Sequence, residues 1–181
     1  MSALSPSSSP VSNEKESSTS IDSRQFLIFK QDNSWFAIDL MVVREVLFVS
    51  AQPIAPVPNT RSFVLGLTNL RGEILAVADF GRSIGSTPSE SGGGEEESAI
   101  DRHRRILVLE AGNPNDPGGG AILMGLVVSQ VRGVFAIDPD RIVSAVEVSE
   151  ELAPFVRGLY DWEGQLLTIV DVEAIAHYQQ W

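Results

Sequence analysis

The sequence predicts an all-β protein made of two small, similar barrels packed side by side. Two observations predict it. Short apolar segments, about ten of them, are separated by turn residues roughly every 8–12 positions, the pattern of small antiparallel barrels rather than βαβ units. The chain also repeats itself at a spacing of 92 residues. Phe63 to Asp79 lies over Phe155 to Asp171 with seven identities, at Phe63, Val64, Gly66, Leu67, Gly72, Leu75 and Asp79. A fainter repeat at a spacing of 88 sets Ile38, Val43, Arg44 and Val46 over Leu126, Val131, Arg132 and Val134. A duplicated unit implies two similar sub-structures. It also separates what the fold needs in both copies from what one copy alone carries.

Each element follows from local pattern. Residues 1–23 are rich in Ser and Pro and have little to bury, so they are expected to form a disordered tail ahead of a domain at 24–181. Phe26 to Phe29 reads as a strand, Asp32-Asn33-Ser34 as a turn and Trp35 to Ile38 as the returning strand. Asp39 is placed to cap one helical turn over Leu40 to Val42. Val43 to Val49 is extended. Its alternation puts Val43, Glu45, Leu47 and Val49 on one face and Arg44, Val46 and Phe48 on the other. Both faces are partly apolar, so the strand is covered either by a second subdomain or by another protein. Pro53, Pro56 and Pro58 stiffen the connection at 50–60. Two strands then flank a turn near Asn69 to Gly72, and Phe80 to Gly85 ends the first unit.

Residues 86–101 hold an acidic, Gly-rich stretch expected to be a mobile loop. The second unit opens with the strand Arg105 to Leu109. A Gly/Pro loop at 112–120 leads to Ala121 to Val128, and Ile142 to Val148 reads as a further strand. The second repeat copy follows, with Val172 to Tyr178 as a short closing helix.

Composition narrows the function. No apolar run approaches the roughly 20 residues of a membrane-spanning helix. The N-terminus lacks the basic start and apolar core of a secretory signal. The chain has no cysteine, which removes disulfides and thiolate metal sites. A net charge of −11 repels phosphate backbones and anionic lipid, disfavouring nucleic-acid and membrane-surface partners. His103 and His177 have no metal-ligand spacing, and no serine sits in a nucleophile-elbow pattern. Gly92 to Gly94 and Gly118 to Gly120 lack the Lys-Ser/Thr ending of a phosphate loop. The basic run Arg102 to Arg105 suits pairing with Glu95 to Glu97 or with a partner's acids. No enzyme, cofactor or metal site is expected. A barrel enzyme or small-ligand binder would have to use the carboxylates of Asp39, Asp79 and Asp171.

The repeat sorts the remaining residues. Gly66 with Gly158, and Gly72 with Gly164, point to shared backbone geometry, a bulge or a turn with positive φ. Asp79 and Asp171 each end a strand, where a carboxylate caps backbone N–H groups. Arg71 stands opposite Glu163, so the turn tolerates either charge, and Arg71 is either a partner contact or an ordinary surface residue. Asn69 opposite Asp161 suits a turn in both copies. Leu70 opposite Trp162 is either a barrel plug or an exposed contact.

The ordered series Phe36 to Asp39, Val43-Arg44-Glu45-Val46, Pro53 to Pro58, Phe63 to Gly72 and Ile74 to Asp79 resembles the CheW family of bacterial chemotaxis adaptors. Gly66-Leu67-Thr68-Asn69-Leu70-Arg71-Gly72-Glu73 is its most specific piece, and the likeness runs from about Gln25 to Ile175. The resemblance implies two five-stranded SH3-like barrels with a groove between them and no enzymatic activity. It implies a cytoplasmic adaptor bridging methyl-accepting receptor tips to a CheA-type histidine kinase, in receptor–kinase clusters at the membrane. By motif match, Asn69, Leu70 and Arg71 fall near the receptor contact, and Val43, Glu45 and Gly66 near the kinase contact. The tail, the 86–101 loop and the 112–120 insertion resemble the variant adaptors of cyanobacterial phototaxis and pilus motility. A scaffold or modulator that binds the kinase alone is the alternative within that family.

Overall fold

A computed structural model describes residues 23–86, 102–113, 118–144 and 148–178. The expected tail, the 86–101 loop and the centre of the 112–120 loop lie outside the described residues, apart from their flanks. Ten strands form among the described residues, as the turn spacing predicts. They are β1 (Arg24–Gln31), β2 (Ser34–Asp39), β3 (Val43–Phe48), β4 (Val64–Leu70), β5 (Glu73–Asp79), β6 (Arg105–Ala111), β7 (Ile122–Val128), β8 (Gln130–Ile137), β9 (Val156–Trp162) and β10 (Gln165–Val170). Two short helices, α1 (Phe80–Ser83) and α2 (Val172–His177), follow the two repeat copies.

The strands lie in two five-stranded sheets, ordered β8-β1-β2-β10-β9 in the first barrel and β3-β6-β7-β5-β4 in the second. The order shows that neither half of the chain closes on itself. The first barrel takes its opening hairpin from the N-terminal half and its other three strands from the C-terminal half. The second barrel does the reverse. The cause is the connector after each opening hairpin. Leu40–Val42 is a single 3-10 turn, and Ser129 alone joins β7 to β8. Each connector redirects the chain without a hairpin reversal, so the next strand joins the other sheet. The exchange also makes one neighbour pair in each sheet parallel, β2 with β10 and β5 with β7, where antiparallel pairing alone was expected.

Among the described residues, one bridge closes each barrel. Ala55 and Leu67 exchange two backbone hydrogen bonds of 2.8 and 2.9 Å, and Val143 and Leu159 exchange two of 2.9 and 2.8 Å. Of the expected strand at 142–148, Val143 forms this bridge, and 145–147 lie outside the described residues. A 3-10 turn, Val49–Ala51 or Pro139–Arg141, swings the chain across the sheet and leaves room for one residue of pairing. Gly66 and Gly158 sit under these bridges. A Cβ on Gly66 would lie 2.1 Å from the Ala55 carbonyl oxygen, and one on Gly158 would lie 2.8 Å from that of Val143.

Burial follows the same symmetry. Phe26, Ile28, Ile137 and Leu167 are among the residues that fill the first barrel, and Leu75, Val77, Ile106 and Val108 help fill the second. The alternate residues of β1 and β6, Leu27 and Phe29, Leu107 and Leu109, point the other way into a third core shared between the barrels. That double burial explains the unbroken apolar runs of these two strands. Phe80 packs edge-on to Phe29 and Phe36 there, with ring centroids 5.4 and 5.0 Å away. Phe63 and Phe155 both enter this core, and their carbonyls accept from Asp79 N–H and Asp171 N–H at 2.8 Å each. The repeated phenylalanines thus have matching surroundings.

Candidate interaction site

The β4–β5 hairpin turns through Arg71 at φ +53° and Gly72 at φ +96°, the two left-handed residues of a tight hairpin loop. The Asn69 side-chain oxygen accepts from Gly72 N–H at 2.8 Å and fixes the turn. The β9–β10 hairpin repeats this with Glu163 at φ +54°, Gly164 at φ +79° and Asp161 accepting from Gly164 N–H at 2.9 Å. The backbone geometry is common to both copies, so it says nothing about which tip meets a partner. The side chains differ.

Arg71 reaches back to β3. Its Nη1 and Nη2 donate to Glu45 Oε1 and Oε2 at 2.8 and 2.9 Å, a two-point fork on one carboxylate. The arginine side chain stays 77% exposed and the glutamate 24%. Arg44, Glu45, Arg71 and Glu73 rim a shallow depression at the mouth of the second barrel, with Leu70, Val108 and Leu123 beneath. Beside it, Arg44 Nε donates to Glu110 Oε2 at 2.8 Å. Each arginine at this mouth is therefore paired with a carboxylate.

The six candidate contacts separate here. Asn69, Arg71 and Glu45 come together at this mouth. Leu70 is buried at 8% exposure within the second barrel's core, beneath that depression, so it is the plug of the two readings. Val43 packs half-buried against the shared core, two residues along β3 from Glu45. Gly66 is buried under Ala55 and Pro56, and its lack of a side chain serves barrel closure.

The β3 alternation holds in the structure. Val43, Glu45 and Leu47 are half-buried, whereas Arg44, Val46 and Phe48 face outward. The outward face is uncovered here, with Phe48 54% and Val46 38% exposed, and the Arg105 guanidinium lies 3.9 Å over the Phe48 ring. Ile74, missed by sequence reasoning, is 66% exposed across the hairpin from Asn69. Its repeat partner Leu166 is 64% exposed. Pattern alone gave no signal for this pair, because an apolar residue early in a strand reads as core.

The three aspartates hold the fold instead of forming one site. Asp39 caps the turn at Leu40–Val42 through Met41 N–H at 3.0 Å and pairs with Arg24. Asp79 caps α1 through Arg82 N–H at 3.0 Å and takes Arg104 Nη2 at 2.7 Å. Asp171 caps α2 through Ala174 N–H at 3.1 Å. Among the described residues no cluster of three or more His, Asp or Glu is arranged to hold a metal ion. No helix among them is long and apolar enough to cross a membrane. The acidic stretch Glu95 to Glu97, expected to pair with the 102–105 basic run, lies outside the described residues.

The model of the CheW-like domain matches residues 25–180. The chain is 22% identical over 153 residues to the chemotaxis protein CheW of Rhizobium meliloti, covering 84% of this chain and 86% of that one. It is 27% identical over 153 residues to the CheW of Klebsiella aerogenes, covering 84% and 81% of the two chains. Among solved structures, the scaffolding protein TtCheW from Thermoanaerobacter tengcongensis superposes with a TM-score of 0.70 at 21% identity. That match covers 88% of this chain and 96% of the other.

Proposed function

The chain belongs to the CheW-like domain family, and from that premise we propose that it is a non-catalytic adaptor. It couples the tips of methyl-accepting receptors to a CheA-type histidine kinase, within receptor–kinase clusters on the cytoplasmic side of the membrane. The output is chemotaxis, phototaxis or twitching motility.

The observation that carries this reading is the Arg71–Glu45 fork. By the family resemblance Arg71 falls on the receptor side and Glu45 on the kinase side, and one ion pair joins them. Two partner surfaces that share a side-chain contact are mechanically continuous. A receptor that draws on the Arg71 guanidinium changes what Glu45 offers the kinase, and the reverse holds by linkage. Asn69 sets the angle of the tip. Val43 and Gly66 set the position of β3 and of the closing segment on the kinase side. The outward Val46 and Phe48 supply apolar area that a charged rim alone lacks.

Co-capture tests this. The immobilised protein is offered a receptor cytoplasmic fragment and the regulatory domain of the kinase, separately and together. An adaptor retains both, and both at once. Retention of the kinase domain alone selects the scaffold reading, and retention of neither removes the proposal.

A further inference from the structure

Arg44 is the extra residue of a β-bulge. Where β3 pairs with β6, Val43 faces Leu109 and Glu45 faces Val108, so Arg44 faces no residue. Arg132 is its equivalent in the first barrel. Where β8 pairs with β1, Val131 faces Phe29 and Gly133 faces Ile28. The bulge and its arginine therefore belong to the scaffold of both barrels. The groups around the arginine do not. Glu45, Glu110 and Arg71 stand where the first barrel has Gly133, Lys30 and Glu163. Arg132 and Glu163 line one depression there, yet among the described residues they form no ion pair with each other. Glu110 is thus part of a charge set that only the second barrel carries.

Two arginines, Arg44 and Arg71, rim the second barrel's mouth beside Glu45. Of the four side chains in the two ion pairs, Glu45 is the least exposed, at 24%, so it offers a guanidinium the strongest field. Arg44 is its neighbour in sequence, whereas Arg71 reaches it from the β4–β5 turn. Glu45 nevertheless goes to Arg71, through both Nη1 and Nη2. Arg44 is held elsewhere, with its Nε 2.8 Å from Glu110 Oε2.

We propose that Glu110 is a positioning residue for the Arg71–Glu45 site. By holding the bulge arginine it removes the nearer competitor for Glu45 and leaves that carboxylate to Arg71. Without Glu110, Arg44 turns to Glu45, the fork opens and the Arg71 tip comes loose from β3. Exposed ion pairs contribute little to stability, so the Arg44–Glu110 pair serves this selection rather than the fold. Its consequence for kinase capture rests on the adaptor reading above, but the pairing itself does not.

Arginine side-chain nitrogen spectra of the free, full-length chain test the pairing. A guanidinium held at both Nη atoms rotates slowly about its Nε–Cζ bond and gives separate Nη signals, whereas a released one gives an averaged signal. Arg71→Lys identifies the signals of Arg71, which should be separate in the wild type. Glu110→Gln, of nearly equal volume but uncharged, should average them. Glu110→Gln combined with Arg44→Ala should separate them again, because the competitor is gone. Loss of a merely structural ion pair would not be repaired by removing its other member. Glu110 is 38% exposed, so its variant keeps the fold, and circular dichroism checks this. Kinase-domain capture should weaken about tenfold in Glu110→Gln and recover in the double variant. Averaged Arg71 signals in the wild type or the double variant overturn the proposal, as do separate ones in Glu110→Gln. The expected switching of these signals supports it even in a chain that captures no kinase domain, a result that removes the adaptor reading alone.

Discussion

Gly66 and Gly158 carry the same burden at the residue scale. Each lies where a closing bridge crosses its strand, and a methyl group there meets backbone. Gly66 is the tighter case, at 2.1 Å from a carbonyl oxygen and with φ +145°. Gly66→Ala should therefore cost about 3 kcal/mol and Gly158→Ala about 1–3 kcal/mol. By contrast Gly72→Ala meets nothing within 4 Å, and its left-handed backbone should cost only about 1 kcal/mol. Urea unfolding of the three variants measures the order, and a Gly66→Ala protein as stable as Gly72→Ala would remove the closure argument. The recurrence of these glycines was legible in the repeat. The burial of Leu70 was not, because an apolar residue beside a turn fits a plug and a contact equally well. The Arg71–Glu45 fork was illegible too, since it joins residues 26 positions apart that the family resemblance assigns to separate roles.

At the scale of elements, the caps explain why the repeat copies end as they do. Asp79 and Asp171 each stop a strand, bind the N–H three residues on and start a helix. Asp79 also holds Arg104 at 2.7 Å in a pair whose side chains are 12% and 27% exposed. Asp171→Ala should then cost about 0.5–2 kcal/mol, the range of a lost cap. Asp79→Ala should cost more, because it also removes the partly buried ion pair with Arg104. Thermal melts compare them, with roughly 2–4 °C expected per kcal/mol for a chain of this size. Equal losses would mean that Arg104 contributes nothing through Asp79. Hairpins, caps and the β3 alternation were readable because each depends on near neighbours in sequence. Within the segment expected as a strand at 142–148, the one described pairing, at Val143, was not legible for the opposite reason. Its pairing depends on how far a 3-10 turn carries the chain across a sheet, and apolar composition does not encode that distance.

For the whole molecule, the exchange of strands between halves is the feature on which the rest stands. The repeat showed which strands are equivalent but not which sheet each joins, since both arrangements use the same apolar pattern. In the observed topology, residues 1–93 supply two of five strands to the first barrel and three of five to the second. Neither half can fill a barrel, and the shared core needs both. Separately produced halves 1–93 and 94–181 should each lack a cooperative melt, and an equimolar mixture should recover one. Independent folding of either half would contradict the topology. On this common scaffold the two tips have one backbone and different side chains, so function is expected to be separable from fold. The direct test measures thermal unfolding and simultaneous capture of receptor fragment and kinase domain on the same samples of Arg71→Glu and Glu163→Arg. The account predicts near-native melting for both, because Arg71 and Glu163 already occupy the same turn conformation, with capture lost only in Arg71→Glu. Undiminished capture by Arg71→Glu, or its loss through unfolding, would contradict it.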